Sequence, residues 1–402
     1  MPSASPLRIA MISLHTNPYG DPGTGDVGGM NIVIQHLAAE LAALGHQVDV
    51  ITRRSAPEQP DAIELAPRLM LRTITAGPEH PLPKAEHEAY IDAFAGQLRA
   101  LGDYDVIHAH HWYSGLAALP VARECGAALL QSFHSIAADA DTALDNGEPP
   151  EAPGRLSAER TLAREADAVI TVSHAEQRTV VERLGGEASR VHVVSPGVDA
   201  RCFHPGEAAV PRYVAAAARI EPLKGLDLAV ATIASTDVSL RPDLRIAGGP
   251  SSQDGGCLTA LRRQAADAGI GDRVHFDGAM SHAELADLMR GASVFLVPSH
   301  SETYGLVALE AAASGVPVIA MATGGLPEAV HDGETGLLMR DRSPETWARA
   351  LTRLLDDAEL RERMGHAGRA LALQRSWAKS ARRLVQIYCQ QRRMTRSTVQ
   401  PV

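Results

Sequence analysis

The chain has 402 residues, more than one ordinary domain holds, so two domains of about 200 residues each are expected. A net charge of −10 and an aromatic content of 4% argue against nucleic acid or an anionic membrane surface as partner. No apolar run reaches the ~20 residues of a membrane span. No signal-peptide pattern precedes the first apolar run, and Cys125, Cys202, Cys257 and Cys389 are scattered without ligand spacing, so a cytoplasmic protein with reduced thiols is expected.

Apolar runs at 7–13, 47–52, 69–74, 106–109, 128–132, 168–172 and 191–194 read as the strands of a first α/β domain over residues 1–197. Between the first two lies Gly23-Thr24-Gly25-Asp26-Val27-Gly28-Gly29-Met30-Asn31, leading into an amphipathic helix over 32–44. Backbone amides at such a glycine-rich helix start cradle phosphate, with the helix dipole adding to the attraction. The spacing is not that of the dinucleotide fingerprint. His108, His110 and His111 end the 106–109 run. No carboxylate or cysteine completes a ligand set, and alternation sends neighbouring side chains to opposite faces, so no metal site is expected. The polar, Pro-rich stretch 137–153 reads as a mobile loop. Its carboxylates Asp139 and Asp141 lie in an Asp/Ala-rich context and are set aside as metal ligands. Ser195-Pro196-Gly197-Val198-Asp199 reads as the hinge.

A second domain over 198–375 starts its strands near Arg212: 213–218, 244–247, 274–276, 294–297, 316–320 and 337–339, with helices at 226–234, 257–268, 282–290 and 306–314 among them. Arg219 and Lys224 follow the first of these strands, and Lys224 is one of only three lysines (Lys84, Lys224, Lys379). A diphosphate leaving group needs such charges, because negative charge grows on it as its bond breaks. Glu302 sits in the loop after the 294–297 strand and Glu310 in the helix that follows, at the sheet edge where ligands of doubly wound folds bind. A last helix over 377–391 has apolar residues at helical spacing, and the tail 392–402 reads as disordered.

Together, Gly28-Gly29, Arg219…Lys224-Gly225, Glu302…Glu310, Gly324-Gly325-Leu326-Pro327-Glu328 and Gly333-Glu334-Thr335-Gly336-Leu337-Leu338 resemble the retaining family-four glycosyltransferases. The resemblance covers nearly the whole chain. It implies two Rossmann-like domains facing a central cleft (GT-B), with residues 376–402 crossing back onto the first domain. The stretch from Met11 to Asn31 is most similar to the mycothiol-pathway enzymes that transfer N-acetylglucosamine from its UDP ester to inositol phosphate; sucrose-phosphate synthases are more distant.

The resemblance implies a UDP-sugar as co-substrate, UDP-N-acetylglucosamine first and UDP-glucose second. It implies no other cofactor, no metal and a homodimer. Its donor site would comprise Gly28, Gly29, Arg219, Lys224, Glu302, Thr303, Tyr304, Gly305, Leu306 and Glu310. Glu310 would meet the ribose hydroxyls and Glu302 the sugar hydroxyls, while His134 would lie over the reacting centre. The residues that hold acceptor phosphate in those enzymes fall here on Lys84, His111, Ser135 and Arg155, with Asn31 nearby. His111 departs by replacing a phenol with an imidazole, which keeps a hydrogen-bond donor but changes reach and charge. An inositol phosphate, an aminocyclitol and another small polyol all remain open as acceptors. A nucleotide-sugar epimerase or hydrolase of the same double-Rossmann type, and a non-catalytic sugar-nucleotide-binding protein, are the alternatives.

Overall fold

A computed structural model of the chain describes residues 5–20, 28–139, 141–206, 213–250 and 256–399. Fourteen strands among these form two sheets. The first comprises β1 (Arg8–Ser13), β2 (Gln47–Arg53), β3 (Ala62–Ala66), β4 (Leu69–Ile74), β5 (Val106–His110), β6 (Ala128–Ser132), β7 (Ala168–Thr171) and β8 (Val191–Val193), in the order β3-β4-β2-β1-β5-β6-β7-β8. The second comprises β9 (Tyr213–Ala217), β10 (Leu244–Ala247), β11 (Val274–Gly278), β12 (Ala292–Val297), β13 (Val318–Met321) and β14 (Gly336–Met339), in the order β11-β10-β9-β12-β13-β14. All pairings are parallel except β3 with β4. Helices cover both faces of each sheet, which is why central strands such as β5, β6 and β12 are buried at every position and read as unbroken apolar runs.

Strand order reverses at β1/β5 in the first sheet and at β9/β12 in the second. Ligands of doubly wound sheets bind outside the carboxyl ends of the strands at such reversals. The loops after β1, β5 and β6 carry Gly28, His111, His134 and Ser135, and those after β9 and β12 carry Arg219, Lys224 and Glu302.

The helix Trp377–Val399 returns to the first sheet. Ala381, Leu384, Ile387 and Tyr388 join the same buried cluster as Ile9, Ile34 and Leu130, and Tyr388 Oη is 2.7 Å from His108 Nδ1. At the crossing, Val198 N donates to Arg375 O (3.0 Å) and Ser380 Oγ donates to Ser195 O (2.7 Å), so the two connecting segments run side by side.

Three expectations change. β3 was not foreseen: all five of its residues are exposed, so it carries no burial period, and it is the antiparallel edge strand. The stretch from 392, read as a disordered tail, instead continues the helix to Val399, fastened by Arg392 Nη2 to Asp105 Oδ1 at 2.8 Å. The strand read as 316–320 starts two residues later, because Val316 N is still bonded to Ala311 O of the preceding helix. Residues 400–402, Arg212 and the Gly23–Val27 part of the glycine-rich stretch lie outside the described residues.

Candidate active site

The two carboxyl edges face each other across a cleft of about 440 Å³. From the second sheet it is lined by Arg219, Lys224, Glu302 and Glu310, with Thr303, Tyr304, Gly305 and Leu306 along the loop that joins β12 to the helix Leu306–Ala313. From the first it is lined by Gly28, Gly29, Lys84, His111, His134 and Ser135.

On the second wall, Lys224 Nζ donates to Glu302 Oε1 at 2.7 Å, and Ser299 Oγ donates to the same oxygen at 3.1 Å. Arg219 Nη2 is 3.1 Å from Glu221 Oε1. A cation and an anion so paired hold each other's side chains in place without removing the ammonium from the cleft. Gly305 has φ +97°, and a Cβ there would lie 2.5 Å from Leu326 Cδ2, so the turn into the helix requires glycine. Gly324 has φ +52°, and a Cβ there would lie 1.9 Å from Glu302 O. The Gly324-Gly325 pair therefore lets one loop lie directly on the Glu302 backbone, and Gly325 N donates to Glu302 O at 2.9 Å. The helix N-terminus opens onto the cleft with amides that have no intrahelical acceptor, a setting that favours anionic or hydroxyl ligands. Glu310, one turn in, is buried, and burial pushes its carboxyl up to about 7.

The halves touch at the glycines. A Cβ on Gly28 would lie 3.7 Å from Arg219 Nε, and one on Gly29 would lie 3.4 Å from Leu306 Cδ1. Asn31, expected to meet a ligand, does not line the cleft. It is wholly buried, with its amide donating to Thr16 Oγ1 (3.2 Å) and Asn17 O (3.0 Å) and accepting from Gly28 N (3.2 Å). It positions the Gly28 turn.

His134 sits at φ +61° after β6, and His111 at φ +68° after β5. Positive φ in a residue with a Cβ costs about 1–2 kcal/mol, and such strain collects where a side chain must be aimed. His134 Nε2 is 2.8 Å from His110 Nδ1, and the rings stack at 5.1 Å. Burial lowers His134 to about 3 and drives His110 and His111 well below the ordinary imidazole range, so all three are neutral at pH 7.

The expected acceptor residues are brought together, but not as open cations. Arg155 is wholly buried and does not line the cleft. Its Nε donates to Glu159 Oε1 (2.8 Å), its Nη1 to Glu148 Oε1 (2.7 Å) and to Glu151, and its Nη2 to Ser135 Oγ (2.9 Å). Lys84 Nζ is 3.4 Å from Glu148 and 3.9 Å from Glu151. Glu148, Glu151 and Glu159 were not singled out in the sequence: Lys84 and Trp112 become their neighbours only through the fold, whereas Glu151 and Glu159 each stand four residues from Arg155, a spacing that was the one available signal. These ion pairs also fasten the 137–153 stretch that was read as a mobile loop. One 3-10 turn, Leu144–Asn146, packs against the turn Pro222–Lys224 across the cleft. Asp139 and Asp141 are exposed and do not line the cleft. Among the described residues, no group of three or more His, Cys, Asp or Glu is arranged to hold a metal ion, and no helix is long and apolar enough to cross a membrane.

A 4-like glycosyltransferase domain model matches residues 28–197, and the model for glycosyl transferases group 1 matches residues 203–371. Over 96% of its length the chain is 38% identical to a D-inositol 3-phosphate glycosyltransferase of Acidothermus cellulolyticus, covering 90% of that protein. The chain belongs to this glycosyltransferase family. A counterpart of the same name in Thermobifida fusca is 39% identical over 96% of the chain and 94% of the relative. Among solved structures, sucrose-phosphate synthase (tll1590) from Thermosynechococcus elongatus superposes with a TM-score of 0.88 at 30% identity, covering 95% of this chain and 98% of that one. Anabaena Alr3699/HepE, solved with UDP-glucose, shares the fold at a TM-score of 0.75 and 18% identity, covering 96% of this chain and 100% of that one. The two-sheet GT-B architecture with its returning C-terminal helix is thus that of the glycosyltransferases.

Proposed function

We propose that this glycosyltransferase moves a hexosyl group from a UDP-sugar, N-acetylglucosamine being the first sugar to test, to a hydroxyl of a small polar acceptor (an inositol phosphate, an aminocyclitol or a related polyol), with retention of anomeric configuration. The observation that carries the reading is the convergence of Arg219, Lys224, Glu302 and Glu310 on one wall of a cleft whose other wall presents Gly28, Gly29 and His134. The names of the relatives support a cyclitol acceptor, and the neighbour solved with UDP-glucose supports a UDP-sugar donor.

In this reading Glu310 accepts from ribose hydroxyls. Glu302 and the amides from Thr303 to Leu306 hold the sugar hydroxyls, and Arg219 and Lys224 neutralise the diphosphate as the sugar leaves. Each charge-assisted hydrogen bond of this kind contributes about 1.5–3 kcal/mol. The bond between the anomeric carbon and the diphosphate oxygen breaks, and its electron pair stays on that oxygen. The acceptor hydroxyl attacks the same face, and its proton passes to the departing phosphate oxygen. Positive charge from Arg219 and Lys224 serves where other glycosyltransferases use a divalent ion. Neutral His134, with Nε2 engaged by His110, is left with Nδ1 to meet a ligand over the reacting centre. Closure of the two halves around the donor excludes water and suppresses hydrolysis.

Incubation with UDP-N-acetylglucosamine, with and without a cyclitol, tests the reading. The expected products are UDP and a glycoside, formed only when the acceptor is present. An isomerised or free sugar formed from the donor alone would instead assign an epimerase or hydrolase, and binding without turnover a non-catalytic protein.

A further inference from the structure

The first wall of the cleft contains a ready-made anion position that is already filled. Lys84 Nζ, Ser135 Oγ and Arg155 Nη1 converge on a single point, and that point is Glu148 Oε1, at 3.4, 2.9 and 2.7 Å. The backbone fixes it there. Glu148 O accepts from Ala138 N at 2.9 Å, and Gly147 just before it turns the chain at φ +116°. Burial works against ionisation of Glu148, but Lys84 and Arg155, with hydrogen bonds from Arg155 and Ser135, outweigh it and hold the carboxyl well below its usual range. The group is a carboxylate throughout the neutral range.

The charges around it decide what else can enter. Two cations, Lys84 and Arg155, face three carboxylates, Glu148, Glu151 and Glu159, all in direct contact with Arg155. The cluster therefore has no positive charge to spare for a further anion. A phosphate placed beside Lys84 would meet Glu148 at hydrogen-bonding range and would have to expel it, leaving Glu151 3.9 Å from the same ammonium. Like charges at such separations in a poorly hydrated site repel strongly.

The neighbouring polar groups suit hydroxyls. His111 is 3% exposed, lines the cleft, and has no hydrogen-bond partner on either ring nitrogen; its Nε2 stands 3.5 Å from Glu151 Oε1. His15, stacked on it at 4.3 Å and also lining the cleft, leaves Nδ1 without a partner. Buried polar atoms of this kind ordinarily find partners, and both residues line the cleft. Burial keeps both imidazoles neutral. A neutral imidazole presents one donor and one acceptor, which matches a hydroxyl and wastes its acceptor lone pair on a phosphate.

We infer that Glu148 itself occupies the anion position of the acceptor site, so that the acceptor is a polyhydroxylated ring bearing no phosphate or other anionic group, held through its hydroxyls by His15, His111 and the free face of Glu148. An amino substituent on that ring would find the Glu148 carboxylate as its partner. The inference rests on the glycosyl-transfer reading above and departs from the phosphorylated acceptor in the names of the relatives.

Calorimetric binding of D-inositol 3-phosphate to the wild-type chain and to Glu148→Ala, each saturated with UDP, tests it without requiring turnover. Removing the resident carboxylate is expected to tighten binding of the phosphate ester by at least about tenfold and to weaken that of myo-inositol, because the ester gains the vacated cations while the neutral ring only loses the Glu148 contact. Lys84→Met in the otherwise intact chain is expected to leave the weak binding of the ester unchanged, and it serves if Glu148→Ala fails to fold. Wild-type chain that binds the ester as tightly as Glu148→Ala does, or that loses it on Lys84→Met, would overturn the inference. Failure of the transferase reading shows separately, as absence of any glycoside product from UDP-N-acetylglucosamine with every cyclitol offered.

Discussion

The two walls of the cleft use charge in opposite ways. On the second wall a single cation and a single carboxylate, Lys224 and Glu302, meet at the edge of open space, each about one-sixth exposed at 17% and 16%. On the first wall Arg155 is wholly buried, and three carboxylates and a hydroxyl take its donors. The first arrangement leaves its charges available to a ligand. The second spends them on the protein, locking the 137–153 segment against the helix Arg155–Glu165. The same residue types, a Lys or Arg near a Glu, thus line open space in one place and serve the architecture in the other. What separates them is the number of counter-charges the fold brings in.

The sharpest way to break this contrast is to delete one cation from each wall and compare stability. Arg155→Met leaves Glu148, Glu151 and Glu159 without their shared partner, and breaking a buried ion cluster in this way costs about 3–5 kcal/mol. Lys224→Met breaks a single pair at the cleft rim, about one-sixth exposed, whose loss costs less, about 1–2 kcal/mol. Urea unfolding of both variants should show the gap, and equal losses would erase the distinction between the walls.

Next in size is the effect of Glu302→Gln on catalysis. The substitution keeps the shape but weakens both the hold on Lys224 and the acceptance of sugar hydroxyls. It is expected to lower kcat/KM for the UDP-sugar by about a hundredfold, comparable to loss of one well-placed polar group in an active site. Steady-state rates within threefold of the parent would remove Glu302 from the donor site.

The pH dependence of stability sharpens the contrast further, because the first half holds most of the buried imidazoles. Burial lowers His87 to about 4 and His108 and His134 to about 3, and drives His15, His110 and His111 well down. A group whose folded pKa lies below its unfolded value takes up protons on unfolding, so stability is present above about 6.5 and falls as pH drops toward the folded values. Glu176 and Glu310, which burial raises to about 7, act in the other direction between pH 4.5 and 7. The histidines outnumber them. Urea midpoints should therefore fall from pH 6.5 to pH 5, with a net slope of at least one proton, about 1.4 kcal/mol per pH unit. A flat or rising profile over that interval would contradict the neutral-histidine assignment.

The central strands and the position of the second wall's charges at the cleft were legible in the sequence for one reason. A parallel strand buried on both faces is an unbroken apolar run, and the residue that follows its carboxyl end is placed at the cleft by topology alone, as with Arg219 after β9 and Glu302 after β12. β3 was not legible because all of its residues face solvent. Asn31 looked like a ligand contact because it stands beside Gly28-Gly29; its burial and its three hydrogen bonds appear only once the helix is packed. The counter-charges of the first wall were the largest omission. Glu148 lies 64 residues from Lys84, and Glu151 lies 39 from Trp112, whose Nε1 donates to it at 2.8 Å. No local pattern links these two pairs; only the i,i+4 spacing of Glu151 and Glu159 about Arg155 was local. A polar loop with two glutamates reads as solvated until the buried guanidinium beneath it is seen.

The central claim is that the cations and carboxylates of the second wall grip an activated sugar diphosphate. Calorimetric titration of UDP-N-acetylglucosamine into the wild-type chain, Lys224→Ala and Arg219→Ala tests it most directly, alongside turnover with a cyclitol acceptor. The account predicts saturable binding to the wild type and, in each variant, a fall of about a hundred- to a thousandfold in turnover with weakened binding. Variants that bind the donor and turn over within about threefold of the wild type, a difference below 1 kcal/mol, would contradict it.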